Sequence, residues 1–153
     1  MARRTGQGTR LIPRAPISDS AESVEEAFYE AMRQGDLAGM MALWSTEDEV
    51  ACIHPGRSRL AGLDAIRASW EAIFSGGGVD VQARETVTHA TGAMAVHNLV
   101  EQISVMSAMG KQMVACHVTN VYVQTAAGWR IVLHHGSPAS EDVPAAPAGA
   151  LLH

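Results

Sequence analysis

Glu101, Asn120, His54 and the adjacent His134-His135 are the side chains of this 153-residue chain whose types suit proton transfer and the stabilisation of developing charge. Glu101 stands inside the apolar run LVEQI. A carboxylate there is costly unless it is hydrogen-bonded or paired; burial raises its pKa and a neighbouring imidazolium lowers it. A glutamate and a histidine sharing one pocket form a general acid/base pair. The chemistry open to such a pair is proton abstraction next to a carbonyl, or dehydration, with Asn120 or His54 holding the oxyanion. The competing reading is that Glu101, Asn120 and one of the two histidines complete an internal hydrogen-bond network in a cavity that binds nothing specific.

Other chemistries have less support. Seven histidines invite a metal reading, yet His89, His97 and His117 fall on different segments and no HxH, HxxxH or HExxH spacing occurs, so no metal site is expected. Cys52 and Cys116 are the only cysteines and lack CxxC spacing, which leaves a disulfide framework and a thiolate zinc site without support. No GxSxG elbow is present, and Gly76–Gly78 lacks the Lys-Ser/Thr of a phosphate-binding loop. His54, before Pro55-Gly56, is read as a turn hydrogen-bonder or as a cap on the pocket mouth. Trp44 and Trp70 are placed for core packing, with the edge of a pocket as their second possible role.

Hydrophobic residues at 47% and charged residues at 18% describe a globular chain, and no apolar run approaches the roughly 20 residues that span a bilayer. Residues 18–138 hold seven basic and fourteen acidic side chains, a balance that argues against nucleic acid as a partner. Residues 1–17 carry Arg3, Arg4, Arg10 and Arg14 and no acid, without the apolar stretch of a secretory signal, so a cytoplasmic location is expected. Three parts follow: a flexible basic segment 1–17, a domain over 18–138, and a disordered Ala/Pro-rich tail 139–153.

The elements that must position these side chains begin near Asp19, where Asp19 and Glu22 have capping-box spacing and Val24, Ala27, Phe28, Ala31 and Met32 recur at helical intervals up to Gly35. Asp36 caps a shorter helix carrying Leu37, Met40, Met41 and Trp44. A short strand at Glu49–Ile53 stops at His54-Pro55-Gly56, and Leu63, Ile66, Trp70, Ile73 and Phe74 mark a third helix that Gly76–Gly78 ends. Strands follow at Val79–His89, Ala93–Met106, Lys111–Gln124 and Gly128–Gly136, and their short turns make neighbours antiparallel. Helices first and a strand meander last is an α+β pattern.

The segments FYEAMRQGDLAGMMALW, ACIHPG, LAGLDAIRASWEAIF and HVTNVYVQTAAGWRIVLHHGSP resemble the SnoaL-like branch of the nuclear transport factor 2-like superfamily over roughly residues 20–138. The resemblance implies a cystatin-like α+β roll, a cone in which three N-terminal helices pack on a curved antiparallel sheet around a central pocket, with the convex face often forming a dimer. Steroid isomerases, polyketide cyclases, dehydratases, epoxide hydrolases and noncatalytic association domains share this container, so the fold does not decide the function. The steroid isomerases use a Tyr and two Asp residues and the cyclases an Asp base; no equivalent Tyr/Asp/Asp set is located here.

Strand alternation leaves two choices for the inward face. Pocket-lining arginines of the kinase-association domains in this superfamily align with Glu101, Asn120 and Gly136, which implies that His97, Leu99 and Glu101, then Cys116, Val118, Asn120 and Tyr122, then Val132, His134 and Gly136 look inward. Ile131, Leu133 and His135 then look outward, unless a bulge at the His-His-Gly end exchanges His134 for His135. The resulting site has Glu101 and His134 as the catalytic pair, with Asn120, His54, His135, Trp44 and Trp70 as ligand-binding candidates and no cofactor. Thr119, Val121, Val123, Ile131 and Leu133 would make an outer patch too apolar for a monomer, so a homodimer is expected. Two functions compete: a cofactor-independent isomerase, dehydratase or cyclase acting on a small apolar or carbonyl-containing ligand, and a noncatalytic ligand-binding or dimerisation module.

Overall fold

The computed structural model describes residues 19–140, so the basic segment 1–17 and all but the start of the 139–153 tail lie outside the described residues. The chain runs α1 (Ala21–Gln34), α2 (Leu37–Met41), β1 (Ala51–Ile53), β2 (Leu60–Ala61), α3 (Leu63–Phe74), β3 (Asp80–Ala90), β4 (Met94–Ser107), β5 (Gly110–Thr125) and β6 (Gly128–Pro138). This is the expected α+β cone, with one extra strand: β2, at two residues, is too short to leave a periodic signal.

Ser20, and not Asp19, caps α1. The Ser20 hydroxyl accepts from the Ser23 backbone N–H at 3.1 Å, and Ser23 Oγ accepts from the Ser20 N–H at 3.2 Å. Such a cap contributes about 1 kcal/mol. Asp19 supports it from outside by accepting from Ser23 Oγ at 2.7 Å, and Glu22, on the first turn, takes no part in the cap. At the other end Gly35 adopts φ 64, and a side chain on Gly78 would sit 1.9 Å from the Arg33 carbonyl oxygen. The triple glycine therefore ends α3 and also lets the backbone entering β3 press against the end of α1, where the Val79 N–H donates to the Met32 carbonyl at 2.8 Å.

The six strands form one sheet in the order β2-β1-β6-β5-β4-β3. The sheet is mixed and not wholly antiparallel as expected, because β1 runs parallel to β6, pairing Cys52 with His134. Phe28, Tyr29, Trp70, Leu99, Tyr122 and Ile131 are buried between helices and sheet. Phe28 meets Trp70 edge-on at a centroid distance of 5.6 Å, an arrangement that adds about 1 kcal/mol to the area it buries.

Two irregularities bend the sheet. On β3 the register slips between Arg84 and Val87, with Glu85 at φ 56. On β6 it slips beside Val121 and Tyr122, which pair with Leu133 and Ile131, leaving Val132 as an extra residue. Ile131 is consequently buried in the core, where simple alternation put it outside, and Val132 belongs with Val121 and Leu133 on the outer face. Beyond the bulge His134 and Gly136 point inward as expected. No helix among the described residues is long and apolar enough to cross a membrane.

Candidate functional site

Side chains on one face of β4, β5 and β6 meet α1 from the other side of the core. Glu101 and His97 on β4, Asn120 on β5 and His134 on β6 are at most 2% exposed. Register brings three of them together, since Asn120 pairs with His97 on one side and with His134 on the other, while Glu101, four positions along β4 from His97, pairs with Ala83 and Cys116. Cross-strand partners point to the same side of a sheet, so all six share the concave face.

The hydrogen bonds fix who donates. Asn120 Nδ2 donates to the Tyr29 hydroxyl at 3.2 Å, so its Oδ1 accepts, and His134 Nδ1 must carry the proton in the 2.7 Å contact. His134 is thus a neutral imidazole with Nε2 unprotonated. Burial, followed by the nearby His54 and His135, pushes its pKa from 6.5 down to about 3. An imidazolium does not form at His134, and the expected pair of His134 with Glu101 is not an ion pair.

Tyr29, accepting from Asn120, keeps its own hydroxyl proton available as a donor. Burial pushes the Glu101 carboxyl up from 4.5 to about 7, against a smaller opposing pull from the Tyr29 hydroxyl. One carboxyl oxygen, Oε2, is buried with no hydrogen-bond partner among the described residues. Burial and the Glu101 charge also push the Cys52 thiol up to about 12, so Cys52 stays protonated and inert.

A second cluster lies toward the start of α1. The Tyr122 hydroxyl donates to Glu25 Oε1 at 3.0 Å, and His97 Nδ1 lies 3.0 Å from Glu25 Oε2. That contact has the distance of an ion pair but not the angle of a hydrogen bond, and neither His97 nitrogen has a hydrogen-bond partner. Glu22 Oε1 is 3.7 Å from His97 Nε2.

The remaining candidates separate. His54 is half-buried, its Nε2 3.0 Å from Ser69 Oγ; because Ser69 donates to the Ile66 carbonyl, His54 is the donor. Its ring lies 4.9 Å from Trp70 and 6.3 Å from His134, so His54 and Trp70 belong to the wall beside His134. Burial, followed by Arg57, lowers its pKa. Trp44 is buried beside Ile131 and makes none of the ring contacts to His54 or His134 that Trp70 makes. His135 is exposed on the opposite face, because the bulge falls at Val132 and leaves the parity of the His-His-Gly end unchanged. Among the described residues no three His, Cys, Asp or Glu side chains are placed to hold a metal ion.

Tyr29, Glu25 and Tyr122 escaped the reading of the sequence as functional residues. The available signal was Glu22, Glu25 and Tyr29 at positions i, i+3 and i+7, a polar stripe beside the apolar face of α1. A second signal was the need of any buried tyrosine for a hydroxyl partner.

Two concavities flank the clusters. A groove of about 1140 Å³ on the outer face is floored by Val121, Val132 and Leu133. One of about 440 Å³ opens between α1 and β3, with Glu22, Glu25, Glu26 and Tyr29 on one wall and Gln82 and Ala83 on the other.

A cone of helices on a curved sheet, with titratable groups on its concave face, is the architecture of the nuclear transport factor 2-like proteins. The chain belongs to the SnoaL-like domain family, whose model matches residues 21–141. Among solved structures it is similar to an assigned calcium/calmodulin-dependent protein kinase type II association domain from Thiobacillus denitrificans, with 32% identity, a TM-score of 0.72, and coverage of 82% of this chain and 99% of that one. It is also similar to an assigned dehydratase of the NTF2-like family from Streptomyces avermitilis, with 26% identity, a TM-score of 0.73, and coverage of 80% and 96%. The F-box protein SKIP8 of Arabidopsis thaliana is 28% identical over 116 residues, which are 75% of this chain and 48% of that protein. The chain therefore spans about half the length of that relative.

Proposed function

We propose that the domain over residues 18–138 is a cofactor-independent isomerase or lyase that binds a small carbonyl-containing compound on the concave face and moves a proton with Glu101. The observation that carries this reading is the buried Glu101 carboxyl, with one unpartnered oxygen and a pKa pushed up to about 7. A general acid or base works best with a pKa near the working pH, and a structural carboxylate would have had its lone pairs satisfied. Glu101 takes the proton next to the carbonyl and returns it elsewhere on the substrate or to a leaving hydroxyl. The Tyr29 hydroxyl steadies the carboxylate while it is charged, and His134 Nε2, a weak base, accepts a hydrogen bond from the substrate. The similarity to an assigned dehydratase agrees with this chemistry.

The test is exchange of α-protons in D2O, followed by NMR over a panel of aromatic and polyketide-like ketones. Glu101→Gln should lower the exchange rate at least about 100-fold, the range for one general base. Exchange by the variant at the wild-type rate would overturn the reading.

A second reading, a noncatalytic dimerisation module, draws on the end of the β4–β5 hairpin. Met106 and Met109 are 80% and 88% exposed there, with Val105, Met113 and Val114 beside them. The apolar exposure thus concentrates at this hairpin, whereas Thr119, Val121, Val123 and Leu133 are half-buried. A homodimer covering the hairpin patch predicts a dimer mass by light scattering at micromolar concentration, and a monomer in Met106→Glu/Met113→Glu.

A further inference from the structure

We propose that Ser69 is a positioning residue that holds His54 as the tautomer protonated on Nε2, so that His54 and His134 both present a bare ring nitrogen and the wall they form takes a substrate hydroxyl. The inference rests on the reading of Glu101 as the proton-transfer group and adds a β-hydroxyl to the carbonyl compound it acts on.

The turn after β1 sets the ring in place. The Arg57 N–H donates to the His54 carbonyl at 2.9 Å, and Gly56 takes φ 73, where a side chain is strained. The turn lies against β6 because Gly136 has no side chain: a Cβ there would stand 3.0 Å from Pro55 Cγ and 3.7 Å from Val118 Cγ2. His54 then meets Trp70 edge-on at 4.9 Å, and Trp70 lies 6.0 Å from His134.

The tautomers follow from the donors. Ser69 has one hydroxyl proton and gives it to the Ile66 carbonyl at 2.7 Å, one turn back in α3. In the 3.0 Å contact its oxygen therefore accepts, and His54 Nε2 carries the proton, with Cys52 Sγ at 3.6 Å as a weak acceptor on the same side. Burial, followed by Arg57, disfavours a second proton on the ring. His54 Nδ1 is left as a lone pair that accepts from no donor among the described residues. His134 reaches the same state by another route, giving its Nδ1 proton to Asn120 and keeping Nε2 bare.

A separate observation comes from Trp70, which is 1% exposed and whose Nε1–H is buried without a hydrogen-bond partner. Orphaned buried donors are rare and mark a place where a partner is missing. The wall thus holds two acceptors and one unanswered donor. A hydroxyl both donates and accepts, so it serves imidazole and indole together; a carbonyl oxygen serves the indole alone and meets lone pairs at the histidines. In the elimination that follows, the Glu101 carboxylate takes the proton next to the carbonyl and those C–H electrons form the new C=C bond. The C–O bond breaks, and the hydroxyl, its own proton turned to an imidazole, receives the proton from Glu101 and leaves as water.

The experiment uses the full chain at pH 7 and has two readouts. Nitrogen-15 NMR should show His54 protonated on Nε2; Ser69→Ala should turn it into a mixture of tautomers, and Ser69→Thr, which keeps the hydroxyl, should restore it. In calorimetric titrations, 4-hydroxy-4-phenyl-2-butanone should bind at least about tenfold more tightly than its methyl ether, which has no proton to donate, and Ser69→Ala should cut that preference several-fold. A wild-type His54 protonated on Nδ1, a Ser69→Ala variant with unchanged tautomer and preference, an ether bound as tightly as the alcohol, or an alcohol that does not bind overturns the proposal. If Glu101→Gln loses ketone exchange while no hydroxyl preference is found, the acid/base reading stands and this one falls. A hydroxyl preference in a protein whose Glu101→Gln variant exchanges at the wild-type rate removes the acid/base reading alone.

Discussion

Two regions of the concave face bury the same kind of group and treat it differently. Around His134 the chain of donors and acceptors from Nδ1 onward is matched: Nδ1 donates to Asn120, Asn120 donates to Tyr29, and Phe28 packs 5.0 Å from the imidazole. Around Glu101 the match fails, with Oε2 left unpartnered. Burial drives both groups to their neutral forms, His134 by lowering its pKa and Glu101 by raising it. The matched region holds the His134 ring in one orientation; the unsatisfied one holds a carboxyl ready to change charge when something else arrives.

This contrast has a pH signature, and the largest expected effect comes from His134. Its folded pKa, about 3, is depressed below 6.5, so the folded state binds fewer protons than the unfolded chain between those values. The stability it protects is complete above about pH 6.5 and lost as pH falls toward 3, amounting to about 5 kcal/mol. Glu101 has the opposite sign. Its folded pKa is raised from 4.5 to about 7, so its contribution is complete below 4.5 and lost as pH rises to 7, about 3 kcal/mol in all. Between pH 4.5 and 6.5 the two slopes oppose each other at about 1.4 kcal/mol per pH unit each and nearly cancel. His134→Gln, which keeps an amide for Asn120, should expose the Glu101 slope: urea-derived stability then falls from pH 4.5 to 7 and no longer drops from 4.5 to 3. A variant with the wild-type acid profile would show that His134 is not the group being protected.

Glu101→Gln is the reciprocal change. It should leave stability at pH 4 nearly unchanged and raise it at pH 8 by up to about 3 kcal/mol, since a buried amide carries no ionisation cost. Its profile should climb through the whole span from pH 3 to 6.5. A variant that gains nothing at pH 8 would mean that Glu101 is already compensated, and the contrast between the two regions would disappear.

How far the sequence carried this contrast depends on the range over which its signals act. Alternation along single strands grouped His97 with Glu101, and Cys116 with Asn120 and Tyr122, because a period of two needs only local information, and the family resemblance chose these sets as the buried ones. The Val132 bulge left no such mark: no glycine or proline accompanies it in RIVLHH, and the misplacement of Ile131 followed directly. His135 held its place only as a hedge against a bulge that lies three residues earlier. The capping box was read one residue early because Asp19/Glu22 and Ser20/Ser23 overlap, and dihedral angles, not residue types, choose between them. The partners of Asn120 and Tyr122 on α1 lie 91 and 97 positions away, and pairing at that distance is set by packing alone.

Tyr29 links the two regions, accepting from Asn120 while its hydroxyl pulls the Glu101 pKa down, so that hydroxyl is the finest probe of the contrast. Tyr29→Phe keeps the ring and its 5.1 Å edge contact with Phe28, removing only the oxygen. Asn120 then loses one acceptor, at about 1 kcal/mol. On the other side, Glu101 loses the donor that favours its charged form, so its pKa should rise further above 7, visible as a shifted carboxyl band in an infrared titration. Because a carboxyl whose pKa climbs is a weaker acid, the pH at which ketone exchange reaches half its maximum should move up with it. A phenylalanine variant in which stability drops slightly but neither titration moves would place Tyr29 wholly in the His134 scaffold and leave Glu101 without any protein donor.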